Sequence, residues 1–127
     1  DLKKVEVTFI DFGISKVIGN DENLIEPMGT LRFSPPDILT GKPYNCKVDI
    51  WALGVCMYLL FCGDYPFEDE CKESTTQRIL YDELKFNHPV WKNASKEFIE
   101  LIKSCLQKDH SKRINIVKFC KNSFFNR

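Results

Sequence analysis

Val5-Glu6-Val7-Thr8-Phe9-Ile10-Asp11-Phe12-Gly13 is a short apolar run that stops at an acid and a glycine, and the segments after it decide the fold. Pro36-Asp37 begins twenty-three residues after Gly13, and Asp49-Ile50-Trp51 then opens a long hydrophobic stretch. Val5, Val7 and Phe9, with the β-branched Thr8 and Ile10 around them, have the alternation and residue types of a short strand running into Asp11. Taken alone, Asp-Phe-Gly reads as an ordinary strand-ending turn, because three residues recur by chance. Its weight comes from the later segments, which stand in a fixed order at workable spacing.

From Gly13 to Met28 there is little periodicity, and Gly19-Asn20-Asp21-Glu22-Asn23 reads as an exposed, mobile tip. Loops of this length inside compact domains are usually functional or disordered. Pro35-Pro36 forbids helix just before it but allows one to begin, which predicts a helical turn over Pro36 to Leu39, ended by Thr40-Gly41-Lys42-Pro43. A second helix is predicted from near Lys47 to Cys62, with Gly63 as its C-cap and Pro66 preventing resumption. It is apolar nearly all round, which places it in the middle of the domain. Ser74 is the expected cap of a helix through Leu84, with Ile79, Leu80 and Leu84 on its apolar side. After Pro89, Ser95 with Glu97 and Phe98 opens an amphipathic helix whose Phe98, Ile99, Leu101, Ile102, Cys105 and Leu106 share one face. Asp109-His110-Ser111 ends it, and a last short helix is expected over about Ile114 to Lys121. The predicted class is mainly α: about five helices, a short N-terminal strand and one long loop.

The chain has 127 residues, enough for one domain or part of one, and 43% of them are apolar, ten being Phe. That supports a real core and argues against disorder. Lys plus Arg equals Asp plus Glu at 18 each, so no overall field draws the chain to nucleic acid or an anionic membrane. Charged recognition must be local. The six cysteines, at 46, 56, 62, 71, 105 and 120, contain no Cys-x-x-Cys pair, and four fall inside predicted helices. They read as reduced packing residues, which favours a cytoplasmic or nuclear location. Asn93-Ala94-Ser95 fits a glycosylation sequon that matters only in a secreted chain. The longest apolar stretch, Ile50 to Cys62, has thirteen residues, whereas a membrane span takes about 20. The opening residues lack the apolar middle of a signal peptide, and the abrupt start suggests truncation.

In combination these segments resemble the carboxy-terminal part of the large lobe of eukaryotic protein kinases, over nearly the whole chain. The resemblance makes Asp11 the residue that holds Mg²⁺ against the phosphates of ATP, a hard carboxylate oxygen for a hard cation. Phe12 would pack in the apolar layer coupling the lobes, and Gly13 would permit the turn that aims the carboxylate, so that Asp11, Phe12 and Gly13 together are the cofactor-binding residues. Met28-Gly29-Thr30-Leu31-Arg32-Phe33-Ser34-Pro35-Pro36-Asp37 resembles the end of a kinase activation segment, with Pro35 where Ala is usual and Asp37 where Glu is usual. Its Gly-Thr start is similar to serine/threonine kinases, which implies that the Thr30 hydroxyl approaches the catalytic Asp and that Gly29, Thr30 and Phe33 line the wall beside the acceptor residue. The plain alternative is a solvent-exposed loop threonine.

Lys108-Asp109-His110-Ser111-Lys112-Arg113 is similar to the family's Asp-Pro-x-x-Arg turn, with His110 in the place of Pro. Arg113 and Asp37 are therefore expected to meet as a buried pair, the shorter Asp making the contact longer, water-bridged or dependent on a small backbone shift. A surface-exposed Arg113 is the competing picture. Asp49, at the mouth of an apolar helix, needs hydrogen bonds. The resemblance supplies them as backbone amides of a catalytic loop, with Trp51 as support and Cys56 and Leu60 under an adenine-side hydrophobic column. The helix around Asp49-Ile50-Trp51-Ala52-Leu53-Gly54-Val55 is closest to the calcium/calmodulin-dependent kinase group and its upstream kinases. That group implies a protein substrate and calmodulin or another regulatory protein as partners.

No Gly-x-Gly-x-x-Gly, no strand lysine with a helix glutamate and no His-Arg-Asp-x-x-x-x-Asn occurs in the 127 residues. Phosphoryl transfer is nearly all positioning and electrostatics, so these residues alone are expected to be inactive, with ATP and Mg²⁺ used by the intact kinase. The alternative function is a non-catalytic docking or inhibitory module using the helices after Gly63. Between Gly13 and Thr30 only Ser15 carries a hydroxyl, and Asp21, Glu22 and Glu26 are expected to stand in for a phosphate or else to be a solvated acidic loop.

Overall fold

A computed structural model describes residues 6–19, 22–26 and 28–125. Among them lie five α-helices: α1 (Pro36–Leu39), α2 (Lys47–Cys62), α3 (Lys72–Tyr81), α4 (Lys96–Cys105) and α5 (Ile116–Cys120). Short 3-10 turns occupy Leu31–Phe33, Pro89–Asn93 and Ser123–Phe125.

Residues 6–10 form no strand, which corrects the N-terminal expectation for the part that is described; Val5 lies outside the described residues. Val7, Phe9 and Ile10 are all exposed. Alternation favours a strand only where a partner accepts its ladder, and the sole bridge among the described residues joins Leu24 to Tyr44.

α2 runs over the expected residues, and Gly63 closes it in the left-handed conformation (φ 84°), its N–H donating to the Leu59 carbonyl at 2.8 Å. A side chain would be strained there, and glycine is not. α2 is less enclosed than its composition suggests. Ile50, Trp51, Gly54, Val55 and Tyr58 are buried, but Leu60 is 86% exposed, so no apolar column covers it among the described residues. Composition reports how apolar a helix is, and only the packing decides which sides have neighbours.

α4 crosses α2 at Gly54. A Cβ on Gly54 would fall 2.7 Å from the Cys105 Cβ and 3.0 Å from Leu106 Cδ2, so the missing side chain sets the helix spacing. Ser95 caps α4 by accepting the Phe98 N–H at 3.2 Å. Leu101, Ile102 and Cys105 from its apolar face are buried. The core gathers Trp51, Val55, Tyr58, Phe67, Ile79, Trp91, Ile102 and Leu106, and a smaller cluster holds Ile50, Leu101, Cys105 and Phe119.

Helices α3 and α5 differ from expectation at their boundaries. α3 is capped by Cys71, whose extended backbone lets Sγ accept the Ser74 N–H at 3.4 Å while Ser74 Oγ accepts the Cys71 N–H at 3.3 Å. Ser74 therefore sits at the third helical position of a reciprocal capping box and not at the cap. α3 stops at Tyr81 because Asp82 turns extended. Leu84 and Phe86 then pack on the main core from a non-helical segment, fastened where Tyr58 Oη donates to the Lys85 carbonyl at 2.8 Å. α5 begins at Ile116 because Asn115 caps it, accepting the Lys118 N–H at 2.9 Å. All six cysteines are unpaired; Cys105 is buried and Cys62 packs partly buried against the main core, whereas Cys46, Cys71 and Cys120 are exposed, so the packing role does not hold for those three. Among the described residues no helix is long and apolar enough to cross a membrane.

Candidate active site

Asp11 lies in the loop ahead of α1, exposed, with φ 60°. Its Oδ1 accepts the Gly13 N–H at 3.3 Å, a long bond that bends the chain back on itself. The other carboxylate oxygen has no protein donor among the described residues. Phe12 is 69% exposed, and among the described residues no apolar layer covers it.

Phe12 nevertheless shares a cavity of about 530 Å³ with Thr30, Phe33, Tyr44, Asp49 and Ala52. The cavity lies between the loop that follows Asp11 and the start of α2. Gly29 (φ 108°) takes a conformation open to glycine, and Thr30 then leads into the 3-10 turn Leu31–Phe33. Ser34 Oγ donates to the Thr30 carbonyl at 3.0 Å. Phe33 meets Tyr65 edge-on at 5.7 Å, and Arg32 stacks over the same ring at 4.9 Å while pairing with Glu68. These contacts fasten the wall after Thr30 to the segment after Gly63. No hydrogen bond or ion pair joins Asp11 to Thr30, Asp37 or Asp49 among the described residues.

Asp37 and Arg113 come together. Arg113 Nη2 donates to Asp37 Oδ2 at 2.8 Å, with the two side chains 0% and 6% exposed. The contact is direct, so no bridging water is needed to make up for the shorter Asp. Arg113 also donates from Nε to the Gln107 carbonyl at 3.0 Å and from Nη1 to the Lys47 carbonyl at 3.2 Å, and its guanidinium lies 5.3 Å over the Trp51 ring. One side chain thus ties α1, the start of α2 and the turn after α4. Trp51 is fully buried and stacks on Phe67 at 5.8 Å.

Asp49 accepts no side-chain hydrogen bond among the described residues. Burial against the apolar start of α2 pushes its carboxyl above the ordinary carboxylate value, since nothing offsets the lost water.

Mg²⁺ fits this donor set in one form only. Among the described residues no group of three His, Cys, Asp or Glu could hold a metal, so an all-protein cage is excluded there. Asp11 offers one hard, solvent-facing carboxylate, which suits a cation carried mainly by phosphate oxygens and water.

Two side chains of this region make contacts that the sequence did not indicate. His110 Nδ1 lies 3.6 Å from Asp37 Oδ1, the far side of the ion pair. Lys108 Nζ donates to the Arg78 carbonyl at 3.2 Å and to that of Ile79, closing the end of α3, and sits 4.3 Å over the Phe67 ring. Both lie inside the Lys108 to Arg113 stretch, but nothing in one dimension shows which way they face.

A family model described as Protein kinase domain matches residues 1–125, and the chain belongs to that family. It is 34% identical over 119 residues to calcium-dependent protein kinase 5 of Plasmodium berghei, covering 94% of this chain and 21% of that protein. It is 35% identical over 113 residues to serine/threonine-protein kinase srk1 of Schizosaccharomyces pombe, covering 89% and 19%. The chain spans about a fifth of the length of these curated relatives.

Proposed function

We propose that residues 1–127 are the carboxy-terminal part of the large lobe of a serine/threonine kinase that transfers the ATP γ-phosphoryl group to protein hydroxyls. The observation that carries this reading is the shared cavity, which sets Phe12 of the Asp11-Phe12-Gly13 segment and Thr30 on one surface. Mg²⁺ supplies charge neutralisation on the phosphates when bound. Asp11 would hold it through its free carboxylate oxygen. Gly29, Thr30 and Phe33 would form the wall against which the acceptor residue lies, held rigid by the Tyr65 contacts. The Asp37–Arg113 pair keeps that wall on α2.

Both relatives are named as kinases, one as a serine/threonine-protein kinase and one as calcium-dependent, which supports the serine/threonine reading and calcium control of the parent protein. Six unpaired cysteines support a reducing compartment, cytosol or nucleus. Without a catalytic base or glycine-rich phosphate cover in its sequence, the 127-residue chain by itself should transfer no phosphoryl group.

The test is phosphoryl transfer from labelled ATP by the full-length protein that contains this chain, compared with its Asp11→Asn variant. Loss of a group that organises transition-state charge costs on the order of 10²-fold or more. Equal transfer by both proteins would remove Asp11 from the chemistry. No transfer by either would favour a docking or inhibitory module.

A further inference from the structure

The loop between Asp11 and Thr30 is fastened at three described points. Leu24 and Tyr44 exchange backbone hydrogen bonds, each at 2.8 Å. Tyr44 is 6% exposed, and its Oη donates to the Glu26 carbonyl at 2.6 Å. The Glu26 carboxylate pairs with Lys16, ten residues back along the same loop. A buried tyrosine thus pins the outgoing limb of the loop, and an ion pair draws the incoming limb onto it.

A phosphate added to such a loop orders it by recruiting cations. Here the cation is already engaged. Lys16 is the one basic residue between Gly13 and Leu31, and the next, Arg32, is held by Glu68. Between Gly13 and Met28 the single hydroxyl is that of Ser15, which lies next to Lys16 on the incoming limb and not on the limb that meets Tyr44.

We infer that Tyr44, Glu26 and Lys16 form a built-in latch that holds the Leu24–Glu26 limb to Tyr44 and to the Lys16 limb without phosphorylation. The consequence for turnover rests on the kinase reading above; the latch itself does not. In the wider family of switches, a phosphate arrives to create order of this kind. In this chain a backbone pairing and a carboxylate supply it from the start.

The test uses the full-length protein containing this chain, with amide hydrogen exchange at Leu24 and Tyr44 and phosphoryl transfer as paired readouts. Tyr44→Phe removes only the hydroxyl and keeps the buried ring. It should raise exchange at Leu24 about fivefold, the worth of one hydrogen bond, and lower turnover. Glu26→Gln and Lys16→Met should each raise exchange about twofold, as expected for a solvent-facing pair. The exchanged pair Lys16→Glu with Glu26→Lys should restore protection. Phosphatase treatment of the wild type should leave both readouts unchanged.

Unchanged Leu24 exchange in Tyr44→Phe overturns the latch. So does a phosphatase-induced loss of turnover with phosphate mapped between residues 13 and 30. A wild type that transfers no phosphoryl group while showing the predicted exchange pattern sinks the kinase reading and leaves the latch standing.

Discussion

Replacing Arg113 by Met should be among the most damaging single changes in this chain. The guanidinium is fully enclosed and donates to Asp37 Oδ2, the Gln107 carbonyl and the Lys47 carbonyl. Methionine fills much of the volume but satisfies none of the three. Among the described residues Asp37 would keep only the His110 imidazole, 3.6 Å away, beside its carboxylate. Breaking a buried pair from one side costs about 3–5 kcal/mol, and each abandoned carbonyl adds roughly 1 kcal/mol. Set against a total stability of about 5–15 kcal/mol for an ordinary domain, the loss is most of the margin. With a urea m-value of about 2 kcal/mol/M, the unfolding midpoint should fall by about 3 M. The companion is Arg113→Met with Asp37→Leu. Removing the orphaned charge should recover about 1 M of that shift, because the penalty lies mainly in the unpaired carboxylate and not in the lost attraction. A midpoint shift below about 0.5 M in the single variant, or a double variant no better than the single, would refute the assignment of the brace.

Three further outcomes come from the packing and the ionisable groups. Gly54→Ala should lower the melting temperature by about 5 °C, because a Cβ 2.7 Å from that of Cys105 forces α2 and α4 apart, which outweighs alanine's better helix propensity. Under native conditions a thiol-alkylating reagent should label the exposed Cys46, Cys71 and Cys120 and spare Cys105, whose pKa burial pushes up to about 12; mass spectrometry of digested protein reads this directly. Burial lowers the Lys108 pKa from 10.5 to about 8 despite its carbonyl partners and the Phe67 ring. The unfolded chain therefore holds the proton more tightly across that window, so stability gained from this group rises as pH goes from about 8 towards 10.5 and is lost as pH falls back. A Lys108→Met variant should show a flatter dependence in urea melts taken across that range.

The legible parts of the sequence are those whose features act locally. Helices α2 and α4 could be placed because Gly63, Pro66 and Ser95 act on their own neighbours. Asp37 and Arg113 could be paired, 76 residues apart, through the resemblance of their segments to the kinase family; with 18 Lys and Arg in the chain, charge alone would not have chosen the partner. The strand could not be judged from residues 6–10 alone, since a ladder takes two segments. Cys71 was missed as a cap because sulfur is an uncommon acceptor there, and the more ordinary Ser74 drew the assignment. The open sides of Leu60 and Phe12 depend on what packs beside them, which no periodicity records. Tyr44 carried no sequence signal at all; its hold on Leu24 and Glu26 exists only in three dimensions.

The backbone at Asp11 also governs how its role can be probed. A left-handed residue with φ 60° tolerates Asp and Asn, whose short polar side chains hydrogen-bond locally, and resists branched or bulky replacements. Asparagine there exchanges charge for an amide while keeping the chain path, whereas valine or isoleucine would redirect the path as well. An inactive valine variant would therefore convict geometry and chemistry together, and only the amide exchange separates the two.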